Sequence, residues 1–305
     1  MSTAQKKSWL DRLGSGWMVI SAAGFATMGF MVKILVKDVG FSPPESVFWR
    51  MLVAVLVLGG LAFKRRDTLK TSHFAAQLIR AVMGLTSLLM YFYLITRLPL
   101  PTAVTLSYTS VIWFIILSIL LRRKVKPSVA ACAFAGFIGV ILMLQPVFNA
   151  GQKWLVIPGL ATGVTAALAY IQVKKLTLLQ EPEWRIVFYF SLISVVVSGI
   201  WTAFLGFHPM TVKTIGLIII LGLAGLVGQL CMTLAYAKGS LFISSILSYL
   251  TIVFAFILDT LFLHQQVDWK EVLGIAVIIL SGVAGNTFNQ KKIKTNKPKK
   301  EYHGC

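Results

Sequence analysis

Charge is scarce in this 305-residue chain: 13% of residues are charged and only ten are acidic. Soluble domains carry roughly 25% charged residues, so there is too little polar surface here to cover a water-soluble globule. Cysteine is scarce as well. Cys132, Cys231 and Cys305 show no CxxC or other ligand spacing, which implies no disulfide framework. Two of them fall inside apolar segments and read as small packing residues. The four histidines, His73, His208, His264 and His303, lie at the ends of apolar stretches or in the C-terminal tail, a poor basis for metal or acid–base chemistry. There is no Asp-rich magnesium motif, nucleophile elbow or phosphate-binding loop. An enzyme is therefore not expected, nor a cofactor, nor ATP hydrolysis as an energy source.

What is abundant is apolar sequence, at 57% of residues with a mean hydropathy of +0.81. A bilayer core of about 30 Å takes roughly 20 apolar residues as helix. Ten such stretches occur, at about 17–37, 46–63, 74–96, 100–121, 128–146, 154–173, 186–207, 213–237, 241–262 and 270–289. Helices are expected because a spanning helix satisfies its own backbone in lipid. The stretches are too long for barrel strands and lack their alternation. Breakers and charges mark short loops, among them Ser42-Pro43-Pro44, Lys64-Arg65-Arg66-Asp67, Leu98-Pro99, Arg122-Arg123-Lys124, Asn149-Ala150-Gly151, Glu181-Pro182-Glu183 and His208-Pro209. The first 16 residues are polar, and the apolar stretch after them is too long for a signal peptide, so it reads as a retained first span.

A formal charge of +19 would suggest nucleic acid in a soluble protein, but its distribution argues against that partner. Of the 29 Lys and Arg, 21 lie in the N-terminus, the even-numbered loops and the C-terminus. The odd-numbered loops hold Lys37, Arg97, Lys153, Lys213 and Lys270, one each. Positive charge stays inside, so both termini are expected in the cytoplasm, with the lysine-rich run 291–300 beside anionic headgroups.

The chain also repeats itself. A shift of 141 residues brings Gly84 onto Gly225, Arg97 onto Lys238, Leu100 onto Leu241, and Leu106-Ser107-Tyr108 onto Leu247-Ser248-Tyr249. Two residues of slip then bring Gly139 onto Gly282. The expected organisation is an N-terminal segment 1–16, five-helix repeats 17–146 and 154–289, and a basic tail 290–305. A unit with an odd number of spans must re-enter from the opposite side in its second copy. Inverted repeats of this kind suit a transporter that opens to either face in turn.

Several segments resemble the drug/metabolite transporter superfamily, EamA type, over about residues 17–289. They are Lys33 late in the first span, Phe48-Trp49-Arg50 early in the second, Tyr91-Phe92-Tyr93 leading to Leu98-Pro99, and Leu106-Ser107-Tyr108-Thr109-Ser110. In the second copy they are Ala235-Tyr236-Ala237-Lys238-Gly239-Ser240 and Ser248-Tyr249. The chain departs from the family where many members place glycine and glutamate after the fourth and ninth spans; here stand Arg122-Arg123-Lys124 and His264-Gln265-Gln266. The resemblance implies an all-α bundle in which helices one, three, four, six, eight and nine surround a central cavity, with five and ten outside. It also implies a transporter of an amino acid, a nucleobase, a nucleoside-like metabolite or an amphiphilic drug in a bacterial cytoplasmic (inner) membrane.

Candidate site residues follow from polarity within spans. Charged side chains in hydrocarbon cost about 2.5–3.5 kcal/mol by insertion scales, so they pair or line a wet cavity. Asp259 is the one acid away from the ends of the spans, and Lys33 and Arg50 are expected near the same end of their helices. These three form either a vestibule that meets a charged substrate or relays a proton, or a structural salt bridge. Tyr91, Ser107, Tyr108, Trp113, Tyr170, Gln172, Gln229, Tyr236, Ser248 and Tyr249 are candidates for binding an organic solute, with helix packing as the alternative. Arg80, near the cytoplasmic start of its helix, is expected to snorkel. Glycines spaced by three, Gly222, Gly225 and Gly228 with Gly136 and Gly139, are expected to let helices approach closely. The alternatives for coupling are a proton, exchange with another solute, or the substrate gradient alone. The other function classes to weigh are a membrane-embedded enzyme and a channel.

Overall fold

The computed structural model describes residues 13–95, 97–147, 151–263 and 267–295. The N-terminal stretch 1–12, Asn149-Ala150, His264-Gln265-Gln266 and the tail 296–305, with His303 and Cys305, lie outside the described residues. All secondary structure described is helical, with no strand among the described residues. Ten helices are long and apolar enough to cross a bilayer: α1 Gly14–Val39, α2 Pro43–Arg65, α3 Phe74–Ile95, α4 Leu100–Leu120, α5 Pro127–Leu144, α6 Lys153–Leu178, α7 Glu183–Leu205, α8 Val212–Lys238, α9 Leu241–Phe262 and α10 Trp269–Phe288.

Several helices outrun their apolar stretches because polar residues occupy their terminal turns. α2 starts at Pro43 rather than near residue 46, since Ser42 caps it by accepting a hydrogen bond from the Glu45 backbone N–H at 3.4 Å. Pro43 and Pro44, expected to break the chain, begin the helix instead, where a missing N–H costs nothing. Likewise α6 runs to Leu178 and α7 starts at Glu183.

Two helices are interrupted at repeat-equivalent places. α4 breaks at Thr109 and α9 at Ser248–Tyr249, on or beside the matched Leu-Ser-Tyr segments. Hydroxyls compete for backbone acceptors there: Thr109 Oγ1 donates to the Leu106 carbonyl at 2.5 Å and Ser248 Oγ to the Ser245 carbonyl at 2.7 Å. Past α4, Arg122 takes a left-handed φ of 56°. That conformation favours glycine, so an arginine there strains this turn.

The principal helix pairs are α5–α10, α1–α8, α3–α6, α2–α7, α1–α9, α4–α6, α2–α8 and α3–α7. Exchanging each helix with the one five places later leaves that set unchanged, the pattern two repeats related by a twofold would produce. Glycine permits the tightest approaches. A methyl at Gly24 would lie 2.9 Å from the backbone of Gly228, and one at Gly139 would lie 2.9 Å from the Gly274 carbonyl oxygen. α1–α8 and α5–α10 thus meet backbone to backbone.

Candidate functional site

A cavity of about 200 Å³ opens between the two repeats. α1 contributes Phe25 and Met28, α2 Arg50, α3 Arg80, Gly84, Ser87, Leu88 and Tyr91, and α4 Ser107. The second repeat adds Ala166, Ala169 and Tyr170 from α6, Phe190 from α7, and Gln229 and Met232 from α8. α5 and α10 take no part, as the resemblance implies. In two respects the lining differs from that expectation: α2 and α7 supply residues, and α9 supplies none. The break in α9 turns Tyr249 away, so that its ring packs over Gly136 of α5 and its hydroxyl donates to the Ala133 carbonyl at 3.4 Å.

Of the polar and aromatic candidates, the structure brings Tyr91, Ser107, Tyr170 and Gln229 together on the cavity wall. Tyr236 stacks on Tyr170 with centroids 5.2 Å apart but is itself buried, its hydroxyl 3.4 Å from Ser245 Oγ. Tyr108 and Tyr249 meet each other at 6.0 Å, within an apolar cluster built around α5 and α9. Trp113 packs with Phe114, Ala167 and Ile171, against Gly163 of α6. Ser248 bonds its own helix, and Gln172 carries a buried Oε1 without a hydrogen-bond partner among the described residues.

The charged residues divide. Lys33 Nζ lies 3.1 Å from Asp259 Oδ1, joining α1 to α9, with Phe30 and Phe262 in contact beside them at 5.5 Å. Arg50 does not join that pair. It is buried at 8% exposure on the cavity wall, its guanidinium 5.8 Å from the Phe25 ring centroid and its shaft lying against Gly225 of α8.

Arg80 is the larger departure. It does not snorkel: it is 3% exposed and its guanidinium sits 4.4 Å over the Phe190 ring. Helical side chains normally lean toward the helix N-terminus. Arg80 runs the other way, one turn forward to Gly84, where a methyl would collide with Nη1. Its Nε and Nη1 have no hydrogen-bond partner among the described residues. The glycine one turn after the arginine, already matched to Gly225 by the repeat, is the sequence signal that could have revealed this.

Both faces of the bundle carry polar ties between the repeats that the sequence did not reveal. At the face bearing the α1–α2 and α7–α8 loops, the buried carboxylate of Glu45 accepts from the His208 backbone N–H at 2.9 Å, and His208 Nδ1 lies 2.7 Å from its other oxygen. At the opposite face Glu181 gathers Thr71 at 2.5 Å, His73 at 3.2 Å and Arg185 at 3.1 Å. Arg185 and Tyr189 also donate to the carbonyls of Thr68 and Leu69. Burial opposes ionisation of Glu181, but the hydrogen bonds from Thr71, His73 and Arg185 and the Arg185 charge outweigh it and hold the carboxyl below its usual range.

The cavity wall combines aromatic rings, a few hydroxyl and amide groups and two cations. A model of the EamA-like transporter family matches residues 12–145 and 153–286, one match per repeat. An uncharacterized transporter of Helicobacter pylori (strain ATCC 700392 / 26695) is 31% identical over 280 residues, covering 88% of this chain and 93% of that protein. The pseudopaline exporter of Pseudomonas aeruginosa (strain UCBPP-PA14) is 28% identical over 280 residues, covering 90% and 97%. A solved crystal structure superposes with a TM-score of 0.76 at 14% identity, over 93% of this chain and 100% of that one, which speaks to the fold alone. With ten spanning helices, a cavity between its halves and a family match over each repeat, this chain belongs to the EamA-like transporter family and is an integral membrane transporter rather than an enzyme.

Proposed function

We propose that this protein is a secondary carrier that moves a small organic metabolite by alternating access across a bacterial cytoplasmic membrane, with both termini in the cytoplasm. The observation that carries this reading is the position of the cavity: helices of both repeats wall it, and polar ties between the repeats lie on each face. Releasing the Lys33–Asp259 and Glu45–His208 contacts while the Glu181 cluster holds would open one side. The reverse would open the other. Two five-helix units that cross in opposite senses make those motions near equivalents related by a twofold axis.

Tyr91, Ser107, Tyr170 and Gln229, with the two arginines, are the proposed substrate contacts. Lys33 and Asp259 are the proposed gate pair, 40% and 25% exposed and so weak enough to break in each cycle. The test is reconstitution. Amino acids, nucleobases and nucleosides are first screened for thermal stabilisation of the purified protein, and hits are then assayed in proteoliposomes. Saturable uptake that accelerates when unlabelled solute is preloaded inside is the expected result. Flux that neither saturates nor shows counterflow would indicate a channel and end the carrier reading.

A further inference from the structure

We infer that the cavity is an organic-anion site, in which Arg50 and Arg80 together clamp carboxylate groups of the substrate. This rests on the reading of the cavity as the transport site. No acidic side chain lines it, and neither arginine makes an ion pair with a described residue. The buried carboxylates are engaged elsewhere, Glu45 with His208 and Glu181 with Thr71, His73 and Arg185. Two guanidiniums thus stand in membrane-spanning helices beside aromatic rings, at 5.8 Å from Phe25 and 4.4 Å from Phe190. Such charges normally find a partner or line a pathway. An anionic solute supplies the missing partner, and planar guanidinium forks suit carboxylates in particular.

The glycines add a second line of argument. Gly84 and Gly225 are matched by the 141-residue shift. A methyl at Gly84 would collide with Arg80 Nη1, and one at Gly225 would come within 2.8 Å of Arg50 Nε. Each repeat therefore keeps the same position bare of side chain, and a guanidinium fills it both times. The arginines themselves come from non-equivalent places, one on α2 and one on α3. What the two halves share is a place for a cation, reached by different routes. Tyr91 and Tyr170 provide apolar wall for the body of the solute, and Ser107 and Gln229 provide hydrogen bonds to its polar atoms.

The experiment measures thermal stabilisation of the purified full-length protein by acetate, succinate, L-glutamate and citrate, with succinamide, L-lysine and inorganic phosphate alongside, followed by counterflow in proteoliposomes. The expected result is saturable stabilisation by at least one carboxylate and none by succinamide. Arg50→Gln and Arg80→Gln should each weaken that binding roughly tenfold to hundredfold, the usual worth of a hydrogen bond to a charged group. Arg80→Lys, which keeps the charge and loses the fork, should recover part of it. If Arg80→Gln does not fold, Gly84→Ala serves in its place: it keeps the charge, displaces Nη1, and should weaken carboxylate binding severalfold. Equal stabilisation by succinamide, stabilisation by phosphate alone, no stabilisation by any carboxylate, or unchanged affinity in the arginine variants would each overturn the inference. Carboxylate binding without counterflow would leave it standing and sink the carrier reading. Counterflow of a neutral or cationic solute that ignores both arginine variants would do the reverse.

Discussion

Two sets of glycines do opposite work in this molecule. Gly139 of α5 and Gly274 of α10 face each other, each where a methyl would meet the other's carbonyl, at 2.9 Å and 2.7 Å. Gly84 and Gly225 face arginine side chains at the cavity. The first pair brings two backbones together on the periphery, and the second pair leaves room for charge in the centre. The space left by the missing side chain is filled by a neighbouring backbone in one case and by an arginine side chain in the other.

The largest effect should come from breaking the first pair. Gly274→Leu forces a side chain into the Gly139 and Met143 backbone, and overpacking of this kind costs about 3 kcal/mol or more. Loss of the monodisperse peak in size-exclusion chromatography would register it; a normal peak would show that α10 can move off α5. Next comes the cavity. Arg80→Met removes a buried charge that makes no ion pair with a described residue, so it should raise thermal stability by about 1 kcal/mol or more while abolishing anion-dependent flux. A melting point that falls instead would mean Arg80 holds the fold together.

The Glu181 cluster should follow in size. Glu181→Gln should cost about 1.5–3 kcal/mol at pH 7, because it weakens charge-assisted hydrogen bonds at a buried carboxylate. The folded-state pKa is depressed, so this contribution is complete above the ordinary value of 4.5 and is lost as pH falls through the folded value. The gap in melting temperature between wild type and Glu181→Gln should therefore be full at pH 7 and close only below pH 4.5; a gap that does not change with pH would deny the carboxylate its role. The smallest effect on stability belongs to Lys33–Asp259, partly exposed at 40% and 25% and worth about 1 kcal/mol or less. Lys33→Gln and Asp259→Asn, combined in a double-mutant cycle, should shift the melting point little yet alter the transport rate. Transport at the wild-type rate in both variants would remove the pair from the gate.

Most of the architecture was legible beforehand. All ten helices coincide with the apolar stretches read from the sequence, and their ends differ by a few residues where polar turns such as Ser42-Pro43-Pro44 extend them. The repeat was legible too, through Leu-Ser-Tyr segments on or beside which the structure breaks α4 and α9. Depth alone was a poor guide to the charged residues. Lys33, Arg50 and Asp259 looked alike from their positions along the chain, yet two pair and the third lines the cavity. Arg80, six residues into its helix, looked like a residue that reaches back to the headgroups. Glu45 and Glu181 looked like loop residues and are buried ties between repeats.

The sequence by itself determined the solvent of this protein, the number of its helices and their division into two fives, because lipid imposes a minimum apolar length and complete backbone satisfaction on every span. Only the tertiary structure decided which side chains share the cavity and which way they point. Azimuth around a helix and direction along it depend on the neighbours that leave space, and here that space is made by glycines on other turns and other helices: Gly84 for Arg80 and Gly225 for Arg50.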